Sequence, residues 1–278
     1  MRAAVLGSPV VHSLSPVLHA AAYRELGLTG WTYDRVELRE DDLEPFLDGL
    51  GAEWAGLSLT MPLKQAVVPL LDEISPLAAV VGAVNTVTFA PGHPHGDPAV
   101  RARRGDNTDV AGIAQALAAA GATRPSAGVV LGGGATAASA LAALHGLGCS
   151  EVVVCARSVA RSHAVRRAGE RLGLAVEVRP VERAVDALAA ADVVVSSVPA
   201  GGLDWLASSL RPARPGAVLL DVVYDPWPTA LAAAWRRQGG LVVAGLDMLV
   251  HQAVEQVQLM TGLRPSAAVL AAAVTGSR

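Results

Sequence analysis

Lysine is almost missing from this chain: Lys64 is the only one among its 22 basic residues, and arginine supplies the rest. An alanine-rich composition accounts for such a shortage through codon usage, and a lone lysine is by default a solvated surface group. Rarity alone therefore argues little for Lys64, but it marks a position to be weighed with its neighbours. Cysteine is scarce too, with Cys149 and Cys155 the only two, so a disulfide framework is not indicated. No apolar run reaches membrane-spanning length before a glycine, proline or charge intervenes, and the opening MRAAVLGSPV lacks the plan of a signal peptide. These absences point to the cytoplasm. Positive charge is not in excess either: the net charge of −3 leaves no global field to attract nucleic acid or an anionic membrane. The expected partner is a small molecule, and a homodimer stays open.

What is present suits an enzyme. A chain of 278 residues, 52% hydrophobic, can build two domains of ordinary size with a cleft between them. Met1 to Leu6 reads as a strand ending in Gly7-Ser8-Pro9, and Ser15-Pro16 as a helix cap followed by proline at the first helical position. A strand over Trp31 to Leu38, a helix from about Asp41 and a strand over Ala55 to Leu59 continue the alternation, and Val84 to Phe89 with Val100 to Arg104 read as a hairpin. The breaker-rich loop between them, Ala90 to Pro98, carries His93 and His95 without further ligands at a recognisable spacing, so no metal site is expected.

A helix over Asp109 to Ala120 makes the crossover to a second domain. There, strands at Val129, Val152, Val176, Val193, Val218 and Val242 alternate with alanine-rich helical stretches, the pattern of a doubly wound parallel sheet of the Rossmann type. Leu246 to Met260 and a short helix from Pro265 have no strand left to join, so the tail is expected to pack on the first domain. The expected architecture is an α/β domain of residues 1–108 completed by 246–278, with a Rossmann-type domain over 109–245.

Several segments carry chemistry. Gly132-Gly133-Gly134-Ala135-Thr136-Ala137 follows a strand and opens a helix, where glycines let backbone approach a pyrophosphate at the positive helix end. The bland reading is a tight turn whose glycines serve packing. About twenty residues on, where an NAD enzyme carries an acid for the ribose hydroxyls, the strand Val152 to Cys155 runs into Ala156-Arg157-Ser158-Val159-Ala160-Arg161. Two guanidinium groups and a hydroxyl suit a 2′-phosphate, so NADP is the expected cofactor. Ser13 and Ser15 offer hydroxyls beside a helix N-terminus, a place for a carboxylate, although capping by Ser15 is the simpler reading. Thr60 and Lys64 lie just past a strand end, the usual place for site groups in α/β sheets. Gly105-Asp106-Asn107-Thr108-Asp109 reads first as a cap of the crossover helix, by Asn107 or Thr108, and Gly82-Ala83-Val84-Asn85-Thr86 as a turn entering a strand.

Taken in order, G-S-P-V-V-H-S-L-S-P, S-L-T-M-P-L-K, G-A-V-N-T, G-D-N-T-D, the glycine loop and G-L-D-M-L-V-H-Q resemble the shikimate dehydrogenase family from end to end. The resemblance implies reversible NADPH-dependent reduction of 3-dehydroshikimate to shikimate, a step toward chorismate and the aromatic amino acids. It implies Lys64 and Asp109 as the catalytic pair and Ser13, Ser15, Thr60, Asn85, Tyr224 and Gln252 as substrate contacts. For the cofactor it implies Gly132, Gly133, Gly134, Ala135 and Thr136 at the pyrophosphate, Ala156, Arg157, Ser158 and Arg161 at the adenosine phosphate end, and Val222, Gly245 and Met248 on the nicotinamide side. The chain departs from the family pattern at Ala135, Ala156 and Ser58, where many relatives have glycine, asparagine and asparagine.

Three alternatives remain at this point. A quinate or broad quinate/shikimate dehydrogenase often prefers NAD and carries an acid after the second nucleotide strand, against which Arg157 and Ser15 argue. An aminoshikimate-type dehydrogenase shows nearly the same motifs. A catalytically silent NADPH-binding regulator keeps the glycine loop but can lose Lys64 or Asp109, and both are present here.

Overall fold

The computed structural model describes residues 1–90 and 101–275. The chain divides into two compact units, Met1–Thr108 with the chain from Gln252 onward, and Asp109–His251. His93, His95 and Val100 lie outside the described residues.

The first unit opens with β1 (Arg2–Gly7), α1 (Ser15–Glu25), β2 (Thr32–Glu37), α2 (Leu43–Asp48), β3 (Trp54–Leu59) and α3 (Leu63–Ala66). It continues with β4 (Glu73–Ile74), α4 (Pro76–Val81), β5 (Thr86–Ala90) and β6 (Ala102–Asp106). The six strands form one sheet in the order β2-β1-β3-β5-β6-β4. β1 pairs parallel with β2 and β3, and β5 runs antiparallel to both β3 and β6, so the expected hairpin is present with its second arm at Ala102–Asp106. Ala4, Leu6, Leu57, Leu59, Leu63 and Val87 are buried in one cluster, which presses α3 and the ends of β1 and β3 into a single packed body. Burying one such leucine or valine side chain contributes roughly 1.5–3 kcal/mol.

The second unit runs α5 (Asp109–Ala119), β7 (Ala127–Leu131), α6 (Ala135–Gly146), β8 (Glu151–Ala156), α7 (His163–Leu172), β9 (Glu177–Pro180) and α8 (Ala184–Ala190). After these come β10 (Val193–Ser196), α9 (Asp204–Ala207), β11 (Val218–Asp221), α10 (Ala230–Arg237) and β12 (Leu241–Ala244). All pairings are parallel, in the order β12-β11-β10-β7-β8-β9. The chain winds outward from β7 to β9, then returns to β10 and winds the other way, which puts a topological switch between β7 and β10. Small residues allow α6 to sit close to this sheet: a Cβ on Gly128 of β7 would press on Leu144 and Cys149.

α11 (Gly245–Thr261) is followed by α12 (Ala267–Thr275), which packs on α1 in the first unit. Several boundaries differ from the sequence expectation. α12 starts at Ala267 rather than Pro265, because the Ser266 N–H is held by the Glu25 carboxylate at 3.0 Å and the first turn forms beyond it. β9 begins at Glu177, one residue after Val176. Ser15 is not the cap of α1 but its first helical residue, with Leu14 in the cap position and no side chain capping the end. The Ser15 N–H is instead taken by Ser13 Oγ at 3.3 Å, and Pro16 has no N–H to satisfy.

Candidate active site

In the first unit the predicted residues gather where β1 and β3 end and β5 begins. The Thr60 N–H donates to the Leu6 carbonyl at 2.9 Å, and the Ser8 N–H to the Met61 carbonyl at 2.9 Å. Gly7 permits this approach, since a Cβ there would collide with the Thr60 methyl and the Met61 carbonyl. Lys64 follows on α3, half-buried, and its carbonyl accepts from the Val84 N–H at 2.8 Å. That bond ties the lysine's backbone to the segment that ends in Asn85. Asn85 is itself gripped on both sides: its N–H donates to Asp106 at 3.0 Å and its carbonyl accepts from Leu59 at 2.8 Å.

The Asn85 side chain is buried. Its Oδ1 accepts from the Thr108 N–H at 2.8 Å, and its Nδ2 donates to Gln252 Oε1 at 3.2 Å. Asn107 donates to the Ala83 carbonyl at 2.8 Å. The residues expected to cap the crossover helix bind across to the Ala83–Asn85 segment, and Asp109, only 1% exposed, follows as the first residue of α5. Ser13 Oγ donates to Ser15 Oγ at 3.2 Å, and the loop bearing them is clamped by Arg35, whose guanidinium donates to the Ser13 carbonyl at 2.6 and 2.9 Å.

In the second unit the glycine loop leaves β7 at the switch point. Gly132 has φ +126°, a conformation side chains resist, and a Cβ there would strike Ser197 Oγ. Gly133 is closed by Ser162 and Ala156, whereas a Cβ on Gly134 would meet nothing within 4 Å. Gly134 occupies the cap position of α6 with no side-chain cap, followed by Ala135 and Thr136 in the first turn. Backbone N–H groups there are available to an anion. Across from it β8 ends at Ala156, Arg157 and Arg161 are exposed, and Ser158 Oγ accepts from the Arg161 N–H at 3.3 Å. Past β11, Val222 lies directly against Gly245, where any Cβ would collide with the Val222 carbonyl. Tyr224 is half-buried in the loop after β11, and Met248 is buried on α11.

Sequence reasoning missed the groups that hold these residues. Asp221, at the end of β11, is buried. It accepts from Thr229 Oγ1 at 2.7 Å and from the Val223 N–H at 3.3 Å, bracing the loop that carries Val222 and Tyr224. Burial raises its carboxyl pKa. His19 is fully buried, stacked on Tyr33 with ring centroids 3.8 Å apart. Desolvation lowers its pKa to about 3, against a smaller opposing effect of the bond to Gln256. Tyr33 donates to Ser58 Oγ at 2.6 Å, so the serine at the family's asparagine position is part of the packed interior. The available signal was spacing: His19 with Tyr23, and Gln252 with Gln256, are polar pairs one helical turn apart.

Three family models match along the chain. Residues 5–87 match the shikimate dehydrogenase substrate binding domain, residues 115–205 the shikimate / quinate 5-dehydrogenase family, and residues 245–275 the shikimate 5′-dehydrogenase C-terminal domain. A shikimate dehydrogenase (NADP(+)) of Moorella thermoacetica is 35% identical, covering 96% of this chain and 90% of its own. The crystal structure of the Mycobacterium tuberculosis shikimate dehydrogenase superposes with TM-score 0.85 at 42% identity, covering 100% of this chain and 99% of its own. That of the Thermus thermophilus shikimate 5-dehydrogenase, in complex with NADP(H) and shikimate, superposes with TM-score 0.82 at 31% identity over 100% of both chains.

Proposed function

The chain belongs to the shikimate dehydrogenase family, and from that premise we propose how its residues divide the work. The protein is an NADP-dependent oxidoreductase that interconverts 3-dehydroshikimate and shikimate in aromatic amino acid biosynthesis. In the proposed division, residues 1–108 with the C-terminal helices hold the substrate, and the Rossmann-type unit holds NADP. The observation that carries the substrate assignment is the Val84 N–H to Lys64 carbonyl bond of 2.8 Å, which fastens the only lysine to the segment bearing Asn85.

The residues present fit NADP. The loop Gly132 to Gly134 leaves the first turn of α6 uncovered, and exposed Arg157 and Arg161 stand at the end of β8 where a 2′-phosphate needs cations. Ala135 and Thr136 in that turn, Ala156 and Ser158 at the strand end, and Val222, Gly245 and Met248 beyond β11 complete the proposed set. When bound, the dinucleotide donates or accepts the hydride.

The chain's own residues supply the rest. The carbonyl oxygen gains negative charge as its carbon is reduced, and it must be protonated. Lys64, as ammonium, donates that proton and takes it back from the hydroxyl in the oxidative direction. Asp109, a buried carboxylate, orients Lys64 and a substrate hydroxyl. Ser13, Ser15, Thr60 and Tyr224 receive the substrate carboxylate through their hydroxyls, and Asn85 and Gln252 contact ring hydroxyls. The substrate is the proposed partner, without nucleic acid or membrane. Among the described residues no helix is long and apolar enough to cross a membrane, and the cytoplasm is the proposed compartment.

Rates with shikimate and quinate, each with NADP and NAD, test the reading. Shikimate with NADP should exceed the other three combinations. Equal or faster turnover of quinate with NAD would replace it with the quinate dehydrogenase reading.

A further inference from the structure

We infer that Gln256, with His19 and Tyr23 behind it, is a positioning residue: it heads a one-way hydrogen-bond relay that holds Asn85 as a hydrogen-bond donor toward a ring hydroxyl of the substrate. The inference rests on the shikimate reading only for the identity of that hydroxyl. Two backbone groups fix the direction of every link. The Thr108 N–H can only donate, and it lies 2.8 Å from one end of the Asn85 amide, so that end is Oδ1 and the other, facing Gln252 Oε1 at 3.2 Å, is Nδ2. The Asn85 carbonyl can only accept, and it lies 3.3 Å from the Gln256 amide, so the atom facing it is Nε2.

The second anchor propagates outward. Gln256 Oε1 is left facing His19 Nε2 at 3.4 Å, so that ring nitrogen carries the proton. The ring is fully buried and neutral, which makes Nδ1 an acceptor and the Tyr23 hydroxyl, 3.3 Å away, its donor. Between the anchors, Thr86 Oγ1 accepts from Gln256 Nε2 at 3.2 Å and donates to Asn85 Oδ1 at 2.9 Å. Tyr23, His19, Gln256, Thr86 and Asn85 are all buried, so no solvent molecule offers an easy substitute for a lost link. With Oδ1 accepting from Thr86 and Thr108, the amide can only donate; its Nδ2 meets Thr108 Oγ1 at 3.0 Å and Gln252 Oε1 at 3.2 Å, and a ligand acceptor would replace one of these. An acceptor such as a hydroxyl oxygen is therefore selected.

The experiment compares wild type with Gln256→Leu and Gln256→Glu, using NADP with shikimate and with each of its monodeoxy analogues. Both variants lose the Nε2 donor. The KM for shikimate should rise about 3- to 10-fold, the worth of one misaligned hydrogen bond, with kcat and the KM for NADP close to wild type. For the analogue lacking the hydroxyl that Asn85 holds, the rise should vanish. An unchanged KM for shikimate, or an equal rise with every analogue, would overturn the relay. Should both variants fail to fold, the wild-type enzyme still decides: the ring ¹⁵N shifts of His19 at neutral pH should show the proton on Nε2, and a proton on Nδ1, or on both nitrogens, would overturn it. That spectrum does not depend on turnover, so a wild type inactive on shikimate would refute the functional reading and leave the relay to be judged separately.

Discussion

Acid should destabilise this protein through His19 by an amount that can be worked out. The ring is 0% exposed, and burial holds its pKa at about 3 against an ordinary value of 6.5. The folded value lies below the unfolded one, so as pH falls the unfolded chain takes up the proton first. The stabilisation is whole above the unfolded value and is lost progressively on the way down to about 3. At about pH 5 the unfolded ring is almost fully protonated and the folded ring almost not at all, which costs about 2 kcal/mol relative to about pH 7.5. The perturbation is His19→Gln, which keeps an N–H donor for Gln256 Oε1 but cannot titrate. Urea unfolding of both proteins at the two pH values gives four stabilities, and wild type should lose about 2 kcal/mol more than the variant. Other groups also titrate, among them Asp221 with a raised pKa and Asp192 with a lowered one, but they are common to both proteins and cancel in the difference. Equal losses would mean that His19 is protonated in the folded protein or solvated, and the argument from its burial would fail.

Two further outcomes follow from the site. Lys64→Ala should lower kcat on the order of 10²–10⁴-fold while NADPH still binds, as followed by the cofactor's fluorescence, and near-normal turnover would remove Lys64 from proton transfer. Arg157→Ala should weaken NADPH by roughly 1.5–3 kcal/mol, the worth of a charged hydrogen bond, and leave NADH activity unaltered; equal losses with both cofactors would detach Arg157 from the 2′-phosphate.

The second sheet was legible strand by strand, because parallel strands covered on both faces are written as uninterrupted apolar runs such as Val152-Val153-Val154 and Val193-Val194-Val195. The first was legible as alternating elements with a hairpin but not strand by strand: nothing in Glu73-Ile74 announces a two-residue strand that pairs with β6. Motif residues stood out because glycine, lysine and paired arginines carry chemical or conformational meaning alone. Their supports did not. Gln256 lies 237 positions from His19, and a single buried glutamine reads as a solvated helix face until the fold closes over it. Ser58 was legible only as a departure from a family pattern, and its bond to Tyr33 depends on two strands meeting across β1.

Two helix starts, one in each unit, show why capping and binding readings compete in a sequence. α1 and α6 both begin without a side-chain cap, whereas Ser75 caps α4 and Thr229 caps α10 through the N–H groups of Ala78 and Ala232. A missing cap is not itself a site, since α7 and α8 lack one too. What separates α6 is Gly134, a cap residue with open space where its side chain would be, so the uncovered N–H groups face room for a ligand rather than packed protein. What separates α1 is that Ser13 and Pro16 have already dealt with its first amide positions, by accepting from the Ser15 N–H and by having none. The Ser15 hydroxyl is thereby not spent on the helix end, and it stays paired with Ser13. In both places the sequence reading left the choice between folding and function open, because that choice is made by which partner reaches each N–H first.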